Sequence, residues 1–450
     1  MTTTKKLPVA PAQKRDEEAN RLGALSVETT IDLEEFSSSI RDGLMAFCCN
    51  TGLVVVAEMM EAELTEKIGE KGRHDAHRTA FRNGSTAGSV ILGGRRVPIT
   101  RPRAIQRVGG ELVLDAYRVF TNADLLAELA LERMLAGVAT RRHVLVEEPI
   151  GTELEALAKG NSKSAISRRF VQATTKKVDE LLRRDLSGLD VAVLMIDGMI
   201  FKGCCVVVAL AICADGTKVP VGLWDGDTEN TVVVRDLLAD LVERGLRYEQ
   251  GILCVLDGGK ALAAGVKRVF GHYGVVQRCV VHKRRNVADY LGKDLGAITD
   301  RSLKLAFADA DWRRGLRVTK GLATRLETDH PSAARSLCEG LEEMFTLRRL
   351  GIPDLLARSL CTTNAIESMI GTCKDLSRRV KHWKNTKMAC RWVGAGLLEA
   401  ERSFHRIQGY RHMATLVRAV HNEVQQRLEK ERTEITTTTA TSDNYDQAVA

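Results

Sequence analysis

Between residues 190 and 281 the chain alternates apolar runs with turn signals in an order that few architectures can accommodate. DVAVLMIDG reads as a strand ending at Asp197. GCCVVVALAICA and KVPVGLW read as two further strands joined through Asp215-Gly216, a dipeptide that supplies the positive backbone angles of a tight hairpin turn. TENTVVVRDLLADLVERG follows with Val233, Leu237, Leu241 and Val242 on one helical face, and Gly245 stops it. A fourth strand, ILCVLD, a helix beginning near Lys260 and a short strand, VVQRCVV, complete a βββαβαβ order.

That order matches a ribonuclease H-like layout, an α/β core around a mixed sheet. Residues 291–361 read as helices and stand before a further motif, TTNAIES, so an all-helical insertion divides the core into 186–290 and 362–430. Upstream, residues 31–150 read as a mainly helical domain. Val56, Met59, Met60 and Leu64 recur at helical steps, a second helix is expected from Ala123 to about Val138, and Asn83-Gly84 and Gly93-Gly94 flank short β-branched runs that predict a small hairpin. The ends, 1–30 and 431–450, are polar, the latter Thr-rich, and read as disordered tails.

Residues 151–185 have the pattern of a helix-turn-helix. Glu153 to Lys159 can form a first helix and Gly160-Asn161 a turn, with Ser162 as N-cap of a second. Ile166 and Phe170 would pack, while Lys163, Ser167, Arg168 and Arg169 would face a major groove. An ordinary amphipathic helical hairpin satisfies the same pattern.

Charge points the same way. Lys plus Arg number 66 against 58 Asp plus Glu, and between Lys71 and Arg107 nine basic residues, including Arg95, Arg96, Arg101 and Arg103, face one acid, Asp75. A second basic run follows Glu367 and includes Lys374 and Arg378. Clusters of this kind suit phosphate backbones, and solvated helix faces also carry them. Aromatic residues make up only 4% of the chain, which argues against binding by many stacked bases. Eleven cysteines, an odd number lying partly in apolar runs, fit thiols of a reducing compartment. The N-terminal stretch has no apolar signal core and no apolar run could span a bilayer, so a cytoplasmic protein without a membrane partner is expected.

Three acids stand where strands end and a helix begins: Asp197, Asp257 and Glu367. Carboxylates converging from neighbouring elements can hold two Mg²⁺ ions, with Mn²⁺ as a substitute, for phosphodiester cleavage. Each also has a plain explanation. Asp197-Gly198 and Asp257-Gly258 could be turns, and Asn364 with Glu367 fits a capping box. Cys279 and His282 lack the two further ligands of a structural zinc site, and read as a structural or supporting pair near the acids or DNA.

VLMIDGMIFKG, LWDGDTENTVVVRDLLADLVERGL, CVLDGGKAL, Cys279-x-x-His282, TTNAIES and SKSAISRRF, in this order or upstream of it, resemble the Mutator-type insertion-sequence transposases of bacteria over about residues 40–425. Met199-Ile200 depart from a more aromatic segment of many relatives. The resemblance implies a DDE transposase with a retroviral-integrase-like core. Asp197, Asp257 and Glu367 would be its catalytic, Mg²⁺-binding triad, and helical N-terminal domains would bind terminal inverted repeats in double-stranded DNA. It further implies a homodimer that pairs two element ends and joins their 3′-hydroxyls to target DNA. Two other readings remain open: a catalytically inactive or domesticated DNA-binding regulator, and a nuclease that cuts without joining.

Overall fold

The computed structural model describes residues 43–73, 77–147, 150, 152–201, 204–226 and 230–448. The expected tail over 1–30 lies outside them, as does the start of the helical domain expected from residue 31. The chain divides into two compact units between Ala173 and Thr174.

In the first unit, helix α1 (Leu44–Ile68) buries Val56, Met60, Leu64 and Ile68 at four-residue steps. This stripe packs with Ala80 and Val90 of strand β1 (Ala80–Leu92) and Ala104 of β2 (Arg95–Gln106). The two strands form one antiparallel hairpin that turns at Gly93-Gly94, both with positive φ. Asn83-Gly84 makes no turn. The register slips between Arg82 and Ser85, so the pair forms a bulge in a hairpin longer than its short apolar runs imply. Helices α2 (Asp115–Phe120), α3 (Ala123–Leu135) and α4 (Thr152–Leu157) follow, then α5 (Lys163–Leu182), within which the division between units falls. Glu63, 3% exposed, accepts the Asp115 and Ala116 amides at 2.7 and 2.9 Å. A carboxylate from α1 thus satisfies the free N–H groups that open α2, where local sequence supplies no cap.

The second unit is built on a five-stranded mixed sheet of order β5-β4-β3-β6-β7, comprising β3 (Val191–Phe201), β4 (Cys204–Cys213), β5 (Lys218–Gly226), β6 (Ile252–Leu256) and β7 (Gly274–Arg278). β3, β4 and β5 run antiparallel to their neighbours in sequence, whereas β3, β6 and β7 are mutually parallel. The parallel strands are reached across α6 (Thr231–Glu243) and α7 (Lys260–Phe270). Asn230 caps α6 by accepting the Val232 and Val233 amides, and the buried face is Val234, Leu237, Leu238 and Leu241, rotated slightly from the expected Val233–Val242 face.

Strand parity decides what each side of the sheet can carry. Val193, Met195 and Met199 of β3, with Leu253 and Val255 of β6, join one core; Leu194, Ile196, Ile252, Cys254 and Leu256 join the other. Both faces are covered, which is why β4 is apolar at every position instead of alternating.

Two strand boundaries differ from the sequence reading. β3 continues past Asp197 because its ladder with β4 runs on to Phe201 opposite Cys204. β7 stops at Arg278, and Cys279 becomes the N-cap of α8 (Val280–Ala288), where Val280, Lys283 and Val287 are buried at helical steps.

Between Lys293 and Leu360 lie α9 (Lys293–Ala308), α10 (Trp312–Glu327), α11 (Pro331–Cys338), α12 (Thr346–Arg349) and α13 (Asp354–Leu360). Their core, with Leu303, Leu322, Leu337 and Phe345, also takes in Val280 and Val287, so it begins within α8 before residue 291. Buried Gln277 ties it to the sheet, donating to Arg278 and Met344 carbonyls and accepting the Leu347 amide. The final helices are α14 (Asn364–Ser377), α15 (Thr386–Glu401) and α16 (Met413–Ala448). α16 is anchored by buried Met413, Leu416, Val420 and Val424, and its backbone stays helical through the Thr-rich stretch after 431 that composition reads as disordered. Extending a nucleated helix needs no new nucleus, so weak formers can follow an anchored start. Among the described residues no helix is long and apolar enough to cross a membrane.

Candidate active site

Parallel pairing of β3 with β6 sets Ile196 opposite Leu256, so the next residues are Asp197, still within β3, and Asp257, the first residue past the end of β6. Both continue the parity of Met195 and Val255, the side of the sheet on which α14 buries Ile366, Met369 and Ile370. Glu367, in the first turn of α14, is therefore carried to the same side as the two aspartates. Asp197 accepts the Gly198 amide at 2.8 Å and Asp257 the Gly259 amide at 2.9 Å. Gly258 has φ 112°, a backbone angle closed to most side chains, and its carbonyl accepts Arg278 Nη1 at 3.2 Å. Arg278, 7% exposed and paired with Glu343, thus braces the turn that follows Asp257.

Burial and the neighbouring Asp257 charge push the Asp197 carboxyl up to about 6, against which the Gly198 amide and His282 act only in part. Glu367 adds to the same repulsion. The three carboxylates therefore share a field, and they do so as hard oxygen donors, the kind that Mg²⁺ prefers.

A second cluster adjoins Glu367. The Cys279 amide donates to the Leu256 carbonyl at 2.7 Å and the Val280 amide to the Cys361 carbonyl at 3.0 Å, which wedges the start of α8 between the end of β6 and the segment leading into α14. As a result the ligand atoms of Cys279, His282 and Glu367 lie within 4.8 Å of one another. Thr363, fully buried, has its Oγ1 within 2.5 Å of Glu367 Oε1, 3.2 Å of His282 Nδ1 and 3.4 Å of Cys279 Sγ. Burial alone would raise the Cys279 thiol, but hydrogen bonding, first of all with His282, outweighs it and holds the thiol below its ordinary range. The bond to Cys279 likewise holds His282 above its own. Glu367 does not make the capping-box bond that its spacing from Asn364 allows; Thr363, not Asn364, holds the N-cap position of α14, and its hydroxyl donates to the Glu367 side chain instead of capping a backbone amide.

The expected DNA-facing residues separate into groups. Lys163, Ser167 and Arg168 are exposed on α5, whereas Ile166 and Phe170 are buried. Ser162 Oγ accepts the Ala165 amide, as an N-cap does. Arg169 does not face outward: it is half-buried, lies over the Gly160 turn, and burial together with nearby Arg96 holds its guanidinium below its ordinary range. Arg95 is 5% exposed and paired with Glu147 at 2.8 Å and Glu155 at 3.0 Å. Glu147 also meets His143 and Asn161, so Arg95 belongs to an internal polar knot and not to a surface patch. Arg101 and Arg103 share Glu111 at 2.9 and 3.0 Å, and Arg101 also covers the Tyr117 ring. Arg96 is half-buried and pairs by its backbone with Lys159. Lys374 and Arg378 are exposed at the far end of the helix that carries Glu367. Thr363 and Arg278 were not singled out by sequence. The signal for Thr363 was its place inside TTNAIES, whereas Arg278 sits in an apolar strand without a recognisable pattern.

Comparison with known proteins gives a consistent result. The family model described as "Transposase, Mutator family" matches residues 26–406. The chain is 28% identical over 271 residues to the transposase for insertion sequence element IS6120 of Mycolicibacterium smegmatis, covering 59% of this chain and 82% of the relative. It is 25% identical to the transposase for ISRM5 of Rhizobium meliloti, over 80% of this chain and 89% of the relative. A probable transposase for an ISRM3-like element of Sinorhizobium fredii is 24% identical over 77% of this chain and 85% of the relative. With the mixed sheet, its helical additions and these matches along most of the sequence, the chain belongs to the Mutator family of transposases.

Proposed function

We propose that the second unit is a ribonuclease H-like core that cuts insertion-element ends and joins the freed 3′-hydroxyls to target DNA, with Asp197, Asp257 and Glu367 as its catalytic residues. The observation that carries this reading is the pairing of Ile196 with Leu256, which makes Asp197 and Asp257 neighbours on the side of the sheet that α14 covers. Buried like charges destabilise the folded protein unless something of opposite sign joins them, and the elevated Asp197 carboxyl reports that cost. Three hard carboxylates fit two Mg²⁺ ions, or Mn²⁺ in their place. When bound, these would supply charge stabilisation at the attacking and leaving oxygens of the phosphodiester.

The protein's own contribution is to orient and to shield. β3 carries one carboxylate and the end of its neighbour β6 leads straight into the second, and the packed face of α14 fixes the third. Lys374 lies seven residues after Glu367, two turns along, where a cation would meet a phosphate beside the scissile one. In the first unit, Lys163, Ser167 and Arg168 offer short polar and cationic groups to a major groove of the terminal inverted repeat, with Arg96, Arg101 and Arg103 as additional backbone contacts. Pairing of two element ends calls for two copies of the chain, acting on cytoplasmic, nucleoid-associated DNA.

The test uses purified protein, Mg²⁺ and a labelled duplex bearing the element end, scored for nicking and for joining to a plasmid. Wild type should do both, and Asp197→Asn should bind the end without either. Joining by Asp197→Asn would remove that residue from the centre; binding by wild type without chemistry would favour a DNA-binding regulator.

A further inference from the structure

We infer that Thr363 and His282 are positioning residues that hold one oxygen of Glu367, leaving its second oxygen for a cation; this rests on the catalytic reading of Glu367 above. The argument is a hydrogen inventory. Thr363 Oγ1 carries one hydrogen and can accept two further bonds. Three groups meet it: Glu367 Oε1 at 2.5 Å, His282 Nδ1 at 3.2 Å and Cys279 Sγ at 3.4 Å. An ionised carboxylate can only accept, and its contact is the shortest, so the hydroxyl hydrogen goes to Glu367. His282 Nδ1 must then carry a hydrogen and donate it to Thr363 Oγ1. The order is His282 Nδ1–H to Thr363 Oγ1–H to Glu367 Oε1.

The same geometry decides against a soft metal held by Cys279, His282 and Glu367. Their donor atoms are close enough, but the Thr363 hydroxyl is already within hydrogen-bonding distance of all three and occupies the space among them. Thr363 is buried at the N-cap of α14 and His282 is held on α8 by the backbone bonds to β6 and Cys361, so neither partner is free to wander. Cys279 meets the Thr363 hydroxyl and hydrogen-bonds His282, which it orders, while no hydrogen bond among the described residues joins its thiol to the Glu367 carboxylate. This accounts for the Cys279-x-x-His282 pair without a zinc ion: the three-residue spacing across the start of α8 puts thiol and imidazole side by side, and Thr363 conveys their order to Glu367.

The test compares wild type, Thr363→Val, which keeps the shape and removes the hydroxyl, Thr363→Ser, which keeps the hydroxyl, and Glu367→Gln. Mg²⁺ is titrated against each full-length chain, and binding is read by calorimetry and by the Mg²⁺-induced rise in Tm, with end cleavage measured alongside. Thr363→Val should weaken Mg²⁺ affinity and slow cleavage by about 10- to 100-fold, the usual effect of losing a partner that orients a metal ligand. Thr363→Ser should recover most of both, and affinity for the DNA end without metal should be unchanged in the two Thr363 variants. Unaltered Mg²⁺ affinity in Thr363→Val would overturn the inference, as would Thr363→Ser failing as fully as Thr363→Val, which would make the role one of packing. A wild type that binds Mg²⁺ with Glu367→Gln binding it equally well would remove Glu367 from the site; a wild type that binds none would overturn both readings.

Discussion

Replacing Asp197 with Asn should make the metal-free protein more stable. Asp197 is mostly buried beside Asp257, and its carboxyl is lifted from 3.8 to about 6. In the unfolded chain the group returns to its ordinary range, so ionisation favours unfolding. The sign follows directly: below about pH 4 both states hold the proton and nothing is lost; between 4 and 6 the penalty grows; above 6 it is complete. At ~1.4 kcal/mol per pH unit between the two values, the penalty is roughly 3 kcal/mol at pH 8 and about half that at pH 5. The amide of Asn carries no charge and should remove it, although it keeps an oxygen that can accept the Gly198 amide. For a domain of this size each kcal/mol moves Tm by about 2–4 °C, so a rise of several degrees is expected for Asp197→Asn in EDTA at pH 8. Urea titration at pH 5 and pH 8, with and without Mg²⁺, separates the contributions. Mg²⁺ should stabilise wild type and leave the variant nearly unmoved. An Asn variant no more stable than wild type in EDTA at pH 8, or a gain just as large at pH 5, would refute the argument that buried like charge is the cost.

Three further outcomes are expected. Arg168→Ala should weaken binding to the element end and lower the slope of log affinity against log salt by about 1 if it meets a phosphate, measured by fluorescence anisotropy from 50 to 200 mM salt; an unchanged slope would give α5 a purely structural role. Arg95→Met should destabilise the first unit by about 3–5 kcal/mol, because it leaves Glu147 buried without its guanidinium partner, and a denaturation curve that matches wild type would contradict the internal role given to Arg95. Glu63→Gln should cost about 1.5–3 kcal/mol, because the Asp115 and Ala116 amides are accepted by separate carboxylate oxygens and the single amide oxygen of Gln can serve only one of them; amide exchange at the start of α2 is the sensitive probe, and unaltered protection there would show that the carboxylate is dispensable.

The order of elements was legible along the chain because each carries a local cause. Apolar periodicity marked α6, the Asp215-Gly216 turn joined β4 to β5, and short apolar runs marked β3 and β6. The three acids could be picked out for the same reason: each follows or opens such an element. Boundaries were less legible where pairing with another strand decides them. Nothing local continues β3 through Gly198, but the ladder with β4 does; nothing local stops β7 at Arg278, but the bonds that seat Cys279 on Leu256 and Val280 on Cys361 turn the same residues into a helix.

Charge was the poorest guide, because a count of basic residues cannot tell a surface from an interior. Arg95 and Arg168 look alike in sequence, yet Glu147 and Glu155, some 50 to 60 residues away, draw one inside, while the other stays exposed on α5. Thr363 is the clearest case at the candidate site. Its hydroxyl matters only because residues 279, 282 and 367 converge on it, and convergence across more than 80 positions has no periodic trace. The sequence by itself determined which elements form and which acids stand at their ends, since propensity, periodicity and turn chemistry act over a few residues. Only the tertiary structure decided which charges are buried, where the strands end and which hydroxyl holds Glu367, since each of those depends on a partner brought near by the fold.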